Sequence, residues 1–189
     1  NKLDAVAYKK GVSRSVMLDR ILAGYLTEET VEMKMNGVFA EMGRIIEQCS
    51  GLRFTNQASD YMAFVQSALL YKYNPTVKYS IELFPSGDLG QLKISLRSGS
   101  ETLMRIMRNF DDLFIFIENK YLGDRTYGFD GTRFVRVLKR PNATSKETGE
   151  YVADYIADFV GYLRIYFSYL GDDDKASREV EKKYAENIS

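Results

Sequence analysis

Basic and hydroxyl side chains gather near the start of the chain, at a spacing that suits the binding of a phosphate group. Ser13, Arg14 and Ser15 occupy the predicted start of a helix, and Lys9 and Lys10 lie just before it. The first amides of a helix lack intrahelical acceptors, and the helix dipole adds positive charge at the same place. Because these side chains add further donors, we expect the five residues to bind phosphate groups.

Positive charge is concentrated in this part of the chain. The whole sequence has 26 basic and 26 acidic residues, and its formal net charge is zero. Residues 1–26 hold five basic and two acidic residues, which gives a local balance of +3. The charge distribution therefore supports an anion site at the start of the chain.

Two short helices joined by a tight turn must position these residues. Gly11 falls where a helix ends on a residue with positive φ, and Ser13 then begins a new helix as its N-cap. Apolar residues at helical spacing mark both helices, namely Leu3, Val6 and Ala7 in the first and Val16, Met17, Ile21, Leu22 and Tyr25 in the second.

The pattern L-D-x-x-A-x-x-x-G-V-S-R-S-x-x-L-x-x-x-L in residues 3–22 resembles the ribbon-helix-helix family of DNA-binding regulators. The matching positions are Leu3, Ala7, Gly11, Ser13, Arg14, Ser15, Leu18 and Leu22. The resemblance implies that two chains pair a strand into a ribbon that enters the major groove of DNA. It also implies that the second helix begins at a phosphate. The strand that reads bases would then lie upstream of residue 1, and Lys9, Lys10, Ser13, Arg14 and Ser15 would be DNA-binding residues.

Two other interpretations of the same stretch remain open. It could be an ordinary capped helical hairpin with a solvated basic face. It could also be a helix-turn-helix, because Ala7 and Gly11 fit that spacing as well. Arg20 would then fall near a position that usually holds an apolar residue, which favours the ribbon-helix-helix interpretation.

The composition argues against most kinds of catalytic site. The chain has no His, and Cys49 is its single cysteine, so the commonest general base and most zinc-binding patterns are absent from the sequence. A chain with one cysteine cannot form an intrachain disulfide, which suits a cytoplasmic location. No run of about 18 uncharged apolar residues predicts a membrane span. We expect no enzyme activity, no metal and no cofactor.

Three polar clusters elsewhere have both a functional and a structural interpretation. Asp172–Asp174 could bind a cation, and Asp154 with Asp158 could form an acid–base pair, but adjacent carboxylates are usually solvated. A second basic cluster could contact nucleic acid or an anionic ligand, or could protect the edge of a sheet. This cluster consists of Arg125, Arg133, Arg136, Lys139 and Arg140.

Residues 28–74 are predicted to form a helical linker or dimerisation region. A heptad-like series there indicates either a coiled coil between two copies or an amphipathic helix packed on its own domain: Val31, Met35, Val38, Met42, Ile45 and Cys49. A further helix is predicted over residues 56–73, ended by Asn74 and Pro75.

Residues 75–170 are predicted to form an α+β domain for oligomerisation or sensing. Apolar residues alternate with polar ones in residues 77–84 and 91–97, which predicts an antiparallel hairpin. A helix is expected over residues 100–121, a second hairpin over residues 126–138, and a long helix over residues 146–170 that buries more than one face. A charged tail, mobile or helical, would follow in residues 171–189.

The sequence thus predicts an α+β protein whose residues 1–27 form a ribbon-helix-helix-like DNA-binding region. The expected function is sequence-specific binding of double-stranded DNA by a homodimer or higher homo-oligomer, with transcriptional repression as the role that the resemblance implies. Plasmid maintenance and conjugative DNA processing use similar modules. The alternative is a non-catalytic protein-interaction or assembly module from a phage, a plasmid or another mobile element.

Overall fold

The computed structural model describes residues 2–26 and 29–188 of the chain. Within these ranges the elements follow one another as α1 (Lys2–Lys9), α2 (Arg14–Leu26), α3 (Val31–Ile46), β1 (Leu52–Ser59), β2 (Met62–Ala68), β3 (Thr76–Leu83), β4 (Gly90–Leu96), α4 (Glu101–Leu122), β5 (Tyr127–Asp130), β6 (Arg133–Leu138), α5 (Ser145–Ser168) and α6 (Asp173–Ile188). The predicted α+β class is confirmed.

The strands form one antiparallel sheet in the order β1-β2-β3-β4-β6-β5. Alternate residues of the central strands are buried, as Val77, Tyr79 and Ile81 of β3 are, whereas Lys78 and Ser80 between them are half-buried. One face of the sheet therefore packs on the helices, and the other is partly accessible to solvent. Both predicted hairpins from residue 77 onward are present, at β3–β4 and β5–β6.

The predicted helix over residues 56–73 is wrong. This stretch forms the end of β1 and the whole of β2, which are joined at Asp60 and Tyr61. Ala63 and Val65 are fully buried at alternate positions of β2, so the apolar period is two and not 3.6. Apolar residues in so short a run fit both periods, and pairing with β3 selects the strand. The pairing of β2 with β3 also carries the sheet across the predicted boundary at residue 74.

The heptad-like series of α3 packs within its own chain. Met35, Val38 and Met42 are buried, and α3 contacts α5 along this face. Val31 remains 45% exposed, and the helix ends at Ile46, before the last position of the series. The series therefore describes an amphipathic helix that covers the core. The predicted boundary between residues 27 and 28 lies outside the described residues.

The long helix α5 is the centre of the helical layer. It buries more than one face, as expected, because it packs on α3, on α6 and on the sheet, where the ring centroid of Phe159 lies 6.2 Å from that of Tyr79 in β3. Burial of Ala176, Val180 and Tyr184 fixes α6 on the domain, so the charged tail is helical. In residues 2–26 and 29–188, none of the helices combines the length and the apolar character needed to cross a membrane.

Candidate nucleic-acid interface

A turn that contains Gly11 ends α1 and connects it to α2. Gly11 has φ of +65°, which favours glycine. The amide of Gly11 donates to the carbonyl of Tyr8 at 3.1 Å, and the amide of Val12 donates to the carbonyl of Ala7 at 3.0 Å. This pair of bonds is the Schellman arrangement, which satisfies the last carbonyls of a helix. The turn therefore depends on Gly11, as the sequence predicts.

Ser13 is the N-cap of α2. Its Oγ accepts a hydrogen bond from the amide of Val16 at 3.2 Å, and its carbonyl accepts from the amide of Met17 at 3.0 Å. The cap orients the first turn so that the positive end of α2 points to solvent.

The five predicted site residues lie together at this end of the hairpin, and all five side chains are exposed: Lys9, Lys10, Ser13, Arg14 and Ser15. The Arg14 Nε atom is 3.7 Å from Asp4 Oδ1, and both side chains are about half exposed. Exposed ion pairs contribute only about 0–1 kcal/mol, so a phosphate can replace Asp4 as the partner of Arg14 at little cost.

Arg20 points away from this basic end and joins α2 to the sheet domain. Its Nη2 atom is 3.3 Å from Asp60 Oδ2, in the turn between β1 and β2. Asn36 of α3 donates from Nδ2 to Asp60 Oδ1 at 2.9 Å. Asp60 thus links three elements. This link was not predicted from the sequence, because Asp60 falls within the helix that was predicted over residues 56–73.

Apolar side chains are exposed along one side of α2. Leu18, Ile21, Leu22 and Tyr25 follow helical spacing, and their exposed fractions are 40%, 50%, 54% and 87%. We call these four residues the α2 stripe. An apolar stripe at this spacing is normally buried against another element. The single chain leaves it uncovered, although the rest of the domain has a well-buried core.

Four of the five side chains of the second basic cluster have partners within the domain. Arg136 is buried and forms an ion pair with Glu118, with Nη2 and Oε1 2.6 Å apart. Lys139 pairs with Asp88 at 3.0 Å. Arg133 pairs with Asp130 at 3.3 Å. Arg140 donates to the backbone carbonyls of residues 84, 87 and 88. Arg136 and Arg140 therefore have structural roles. Arg133 and Lys139 are held by exposed ion pairs of the same weak kind as the pair of Arg14 with Asp4.

One side chain of each acidic cluster has a structural partner. Asp172 caps α6, because its Oδ1 accepts from the amide of Lys175 at 3.1 Å. Asp158 accepts from Asn187 Nδ2 at 2.8 Å, whereas Asp154, one turn away, is exposed. Among the described residues, no group of three or more His, Cys, Asp or Glu side chains could hold a metal ion.

Comparisons with protein-family models, curated proteins and solved structures found no match to this chain. The likeness to the ribbon-helix-helix family is therefore a resemblance of residues 3–26 alone.

Proposed function

We propose that this protein binds double-stranded DNA as a homodimer or higher homo-oligomer, through the end of the hairpin at which α1 ends and α2 begins. The α2 stripe carries this proposal. It contains Leu18 and Leu22, two of the positions that match the ribbon-helix-helix pattern, and both are exposed in the single chain. A DNA-binding module whose hydrophobic core forms only when two copies pair would expose the same residues in the single chain.

The charge of the hairpin supports a phosphate ligand. Lys9, Lys10 and Arg14 are exposed at one end, next to the capped first turn of α2. Pairing through the α2 stripe would give the assembly two such ends, each able to hold one DNA phosphate. Contacts of this kind set affinity and orientation, whereas contacts to base edges set sequence preference. A strand upstream of residue 1, as the resemblance implies, would supply the base contacts.

Transcriptional repression in the cytoplasm is the role that we propose for this binding, and plasmid maintenance or conjugative DNA processing would use the same contacts. The sheet domain would hold the assembly together or receive a signal.

Binding of a labelled duplex, followed by fluorescence anisotropy at low salt, tests the proposal. We expect Arg14→Ala to weaken binding about tenfold, because a charge-assisted phosphate contact contributes on that order. Arg178→Ala, an exposed arginine on α6, is the matched control and should leave the affinity unchanged. Equal affinities of the two variants would contradict the proposed clamp.

A second candidate function is favoured by the same α2 stripe. A non-catalytic interaction or assembly module, of the kind found in phages and plasmids, would also expose an apolar helix face until its partner binds. Self-association through α2 without any binding of duplex DNA at low salt would favour this second function over the first.

A further inference from the structure

A cleft of about 260 Å³ lies between α4, α5 and α6, far along the chain from the basic hairpin. Four tyrosine side chains line it, namely Tyr151, Tyr155, Tyr162 and Tyr184. The proposed function uses none of these residues, so the cleft needs its own explanation.

The aromatic rings that line the cleft pack on one another at different angles. The ring of Phe114, which is 1% exposed, lies at the base. Its centroid is 6.3 Å from that of Tyr155, 6.1 Å from that of Tyr162 and 6.2 Å from that of Tyr184. Tyr162 and Tyr184 are 5.4 Å apart and tilted by 44°. The face of an aromatic ring is negatively polarised and attracts a cation, so a cleft lined by several rings can hold a positively charged group.

Two carboxyl groups stand at the same cleft. Asp154 and Asp158 of α5 both line it. Asn187 Nδ2 fixes Asp158 by donating to its Oδ1 at 2.8 Å, and the same nitrogen is 3.0 Å from the Tyr162 hydroxyl oxygen. Burial raises the pKa of Tyr162 to about 12, so its phenol stays protonated at neutral pH. The polar chemistry of the cleft therefore suits a positive ligand and not an anion.

Nearby basic residues do not cancel this preference. Arg136 lies 5.0 Å from the ring centroid of Tyr155, but its charge is balanced by Glu118 in a buried ion pair. Lys183, which lies near Asp158, pairs with Glu186 at 3.7 Å on the surface. The contact between Arg136 and Tyr155 also shows a cation already packed on one ring of this group.

We propose that the cleft binds a small organic cation with a quaternary ammonium group. A primary ammonium carries three N–H donors and is strongly hydrated, so it needs several well-placed acceptors. A quaternary ammonium has no such donors and is held by ring faces and a nearby carboxylate. The volume is below the range of about 300–1,000 Å³ that is typical of drug-sized ligands, which favours a compact molecule.

Titration with choline, followed by NMR shifts of the tyrosine ring signals, tests this assignment on the DNA-free protein. The matched ligand is 3,3-dimethyl-1-butanol, in which a carbon atom replaces the charged nitrogen. We expect choline to bind at least about tenfold more tightly than this neutral analogue, because only choline gains the cation–π and carboxylate attraction. Equal binding of the two ligands, or no saturable choline binding, would overturn the proposal.

A second titration compares a short peptide that contains one trimethyllysine with the same peptide that contains unmodified lysine. Weaker binding of both peptides than of choline is expected for a small-molecule site. Tighter binding of the trimethylated peptide than of choline would overturn the small-molecule assignment.

Variants of Tyr151 separate a ring contact from a structural effect, because this side chain is 40% exposed and its replacement should leave the fold intact. We expect Tyr151→Leu to lower choline affinity about tenfold, Tyr151→Phe to retain it, and Asp154→Asn to lower it several-fold. Tyr8→Leu, at an exposed tyrosine of α1, is the control and should have no effect. Equal choline affinities of the Tyr151→Leu and Tyr8→Leu variants would overturn the proposal. Since no DNA is present, failure of this titration is distinguishable from failure of the DNA-binding proposal.

Discussion

Asp111 of α4 is a carboxyl group that folding buries. Its side chain is 5% exposed, and its Oδ1 has no hydrogen-bond partner among the described residues. Burial raises the pKa of Asp111 to about 8, while the nearby Arg108 acts in the opposite direction. The group is therefore largely protonated in the folded protein at neutral pH.

This burial predicts a pH-dependent stability. An unfolded aspartate titrates near pH 4, so folding takes up a proton between about pH 4 and pH 8. The contribution of Asp111 is fully present below about pH 4 and is lost as the pH rises through about 8. We expect Asp111→Asn to remove this decline and to be roughly 2–5 kcal/mol more stable than wild type at pH 9, relative to their difference at pH 4.

Urea unfolding of both proteins across this pH range provides the measurement. Asp112→Asn, at the exposed neighbour of Asp111, is the control and should keep the decline. A decline of the same size in the Asp111→Asn protein would show that another group causes it.

At the scale of elements, the contact between α3 and α5 depends on a glycine. A Cβ atom at Gly149 of α5 would lie 2.6 Å from the carbonyl oxygen of Val38 in α3. This distance is a steric clash with a backbone atom, which cannot move aside as the end of a flexible side chain can. The two helices would therefore have to separate. Gly161, on the same helix, has no atom within 4 Å of such a Cβ and offers a matched comparison.

We expect Gly149→Ala to lower the free energy of unfolding by about 1–3 kcal/mol through overpacking. Gly161→Ala should raise it by up to about 1 kcal/mol, because alanine has the higher helix propensity. Chemical denaturation measures both changes. Equal effects of the two substitutions would contradict the close approach at Gly149.

The α2 stripe is the second feature at this scale, and its role predicts the oligomeric state. Leu22→Glu places a charge in a surface that we propose is buried between copies, so we expect a monomer with an unchanged fold. Leu70→Glu, at a leucine that is 66% exposed, is the control and should leave the assembly intact. Analytical ultracentrifugation measures the mass of each protein. A Leu22→Glu protein that assembles as the wild type does would exclude α2 as the interface.

At the scale of the whole molecule, sequence patterns predicted correctly the elements that are long or that begin and end at a capping or turn residue. Ser13 as a cap, Gly11 as a helix end and the alternation from Val77 onward each follow from local chemistry. The strand β2 was missed because its apolar residues fit both periods. The deciding factor is its antiparallel pairing with β3, the next strand in the chain, and the apolar period of residues 56–73 does not reveal this pairing. The link from Arg20 to Asp60 and the tyrosine cleft depend on tertiary placement, which local patterns do not contain.

The most direct test of the central claim is the salt dependence of duplex binding by this chain. For B-DNA, log K falls with log salt by about 0.9 for each neutralised phosphate. If Arg14 holds one phosphate in each copy of a dimer, the slope of Arg14→Ala should be smaller in magnitude than that of wild type by about 2. The Arg178→Ala control should keep the wild-type slope. Identical slopes for wild type and Arg14→Ala, or no binding of the folded wild type at low salt, would contradict a phosphate clamp at the α1–α2 turn.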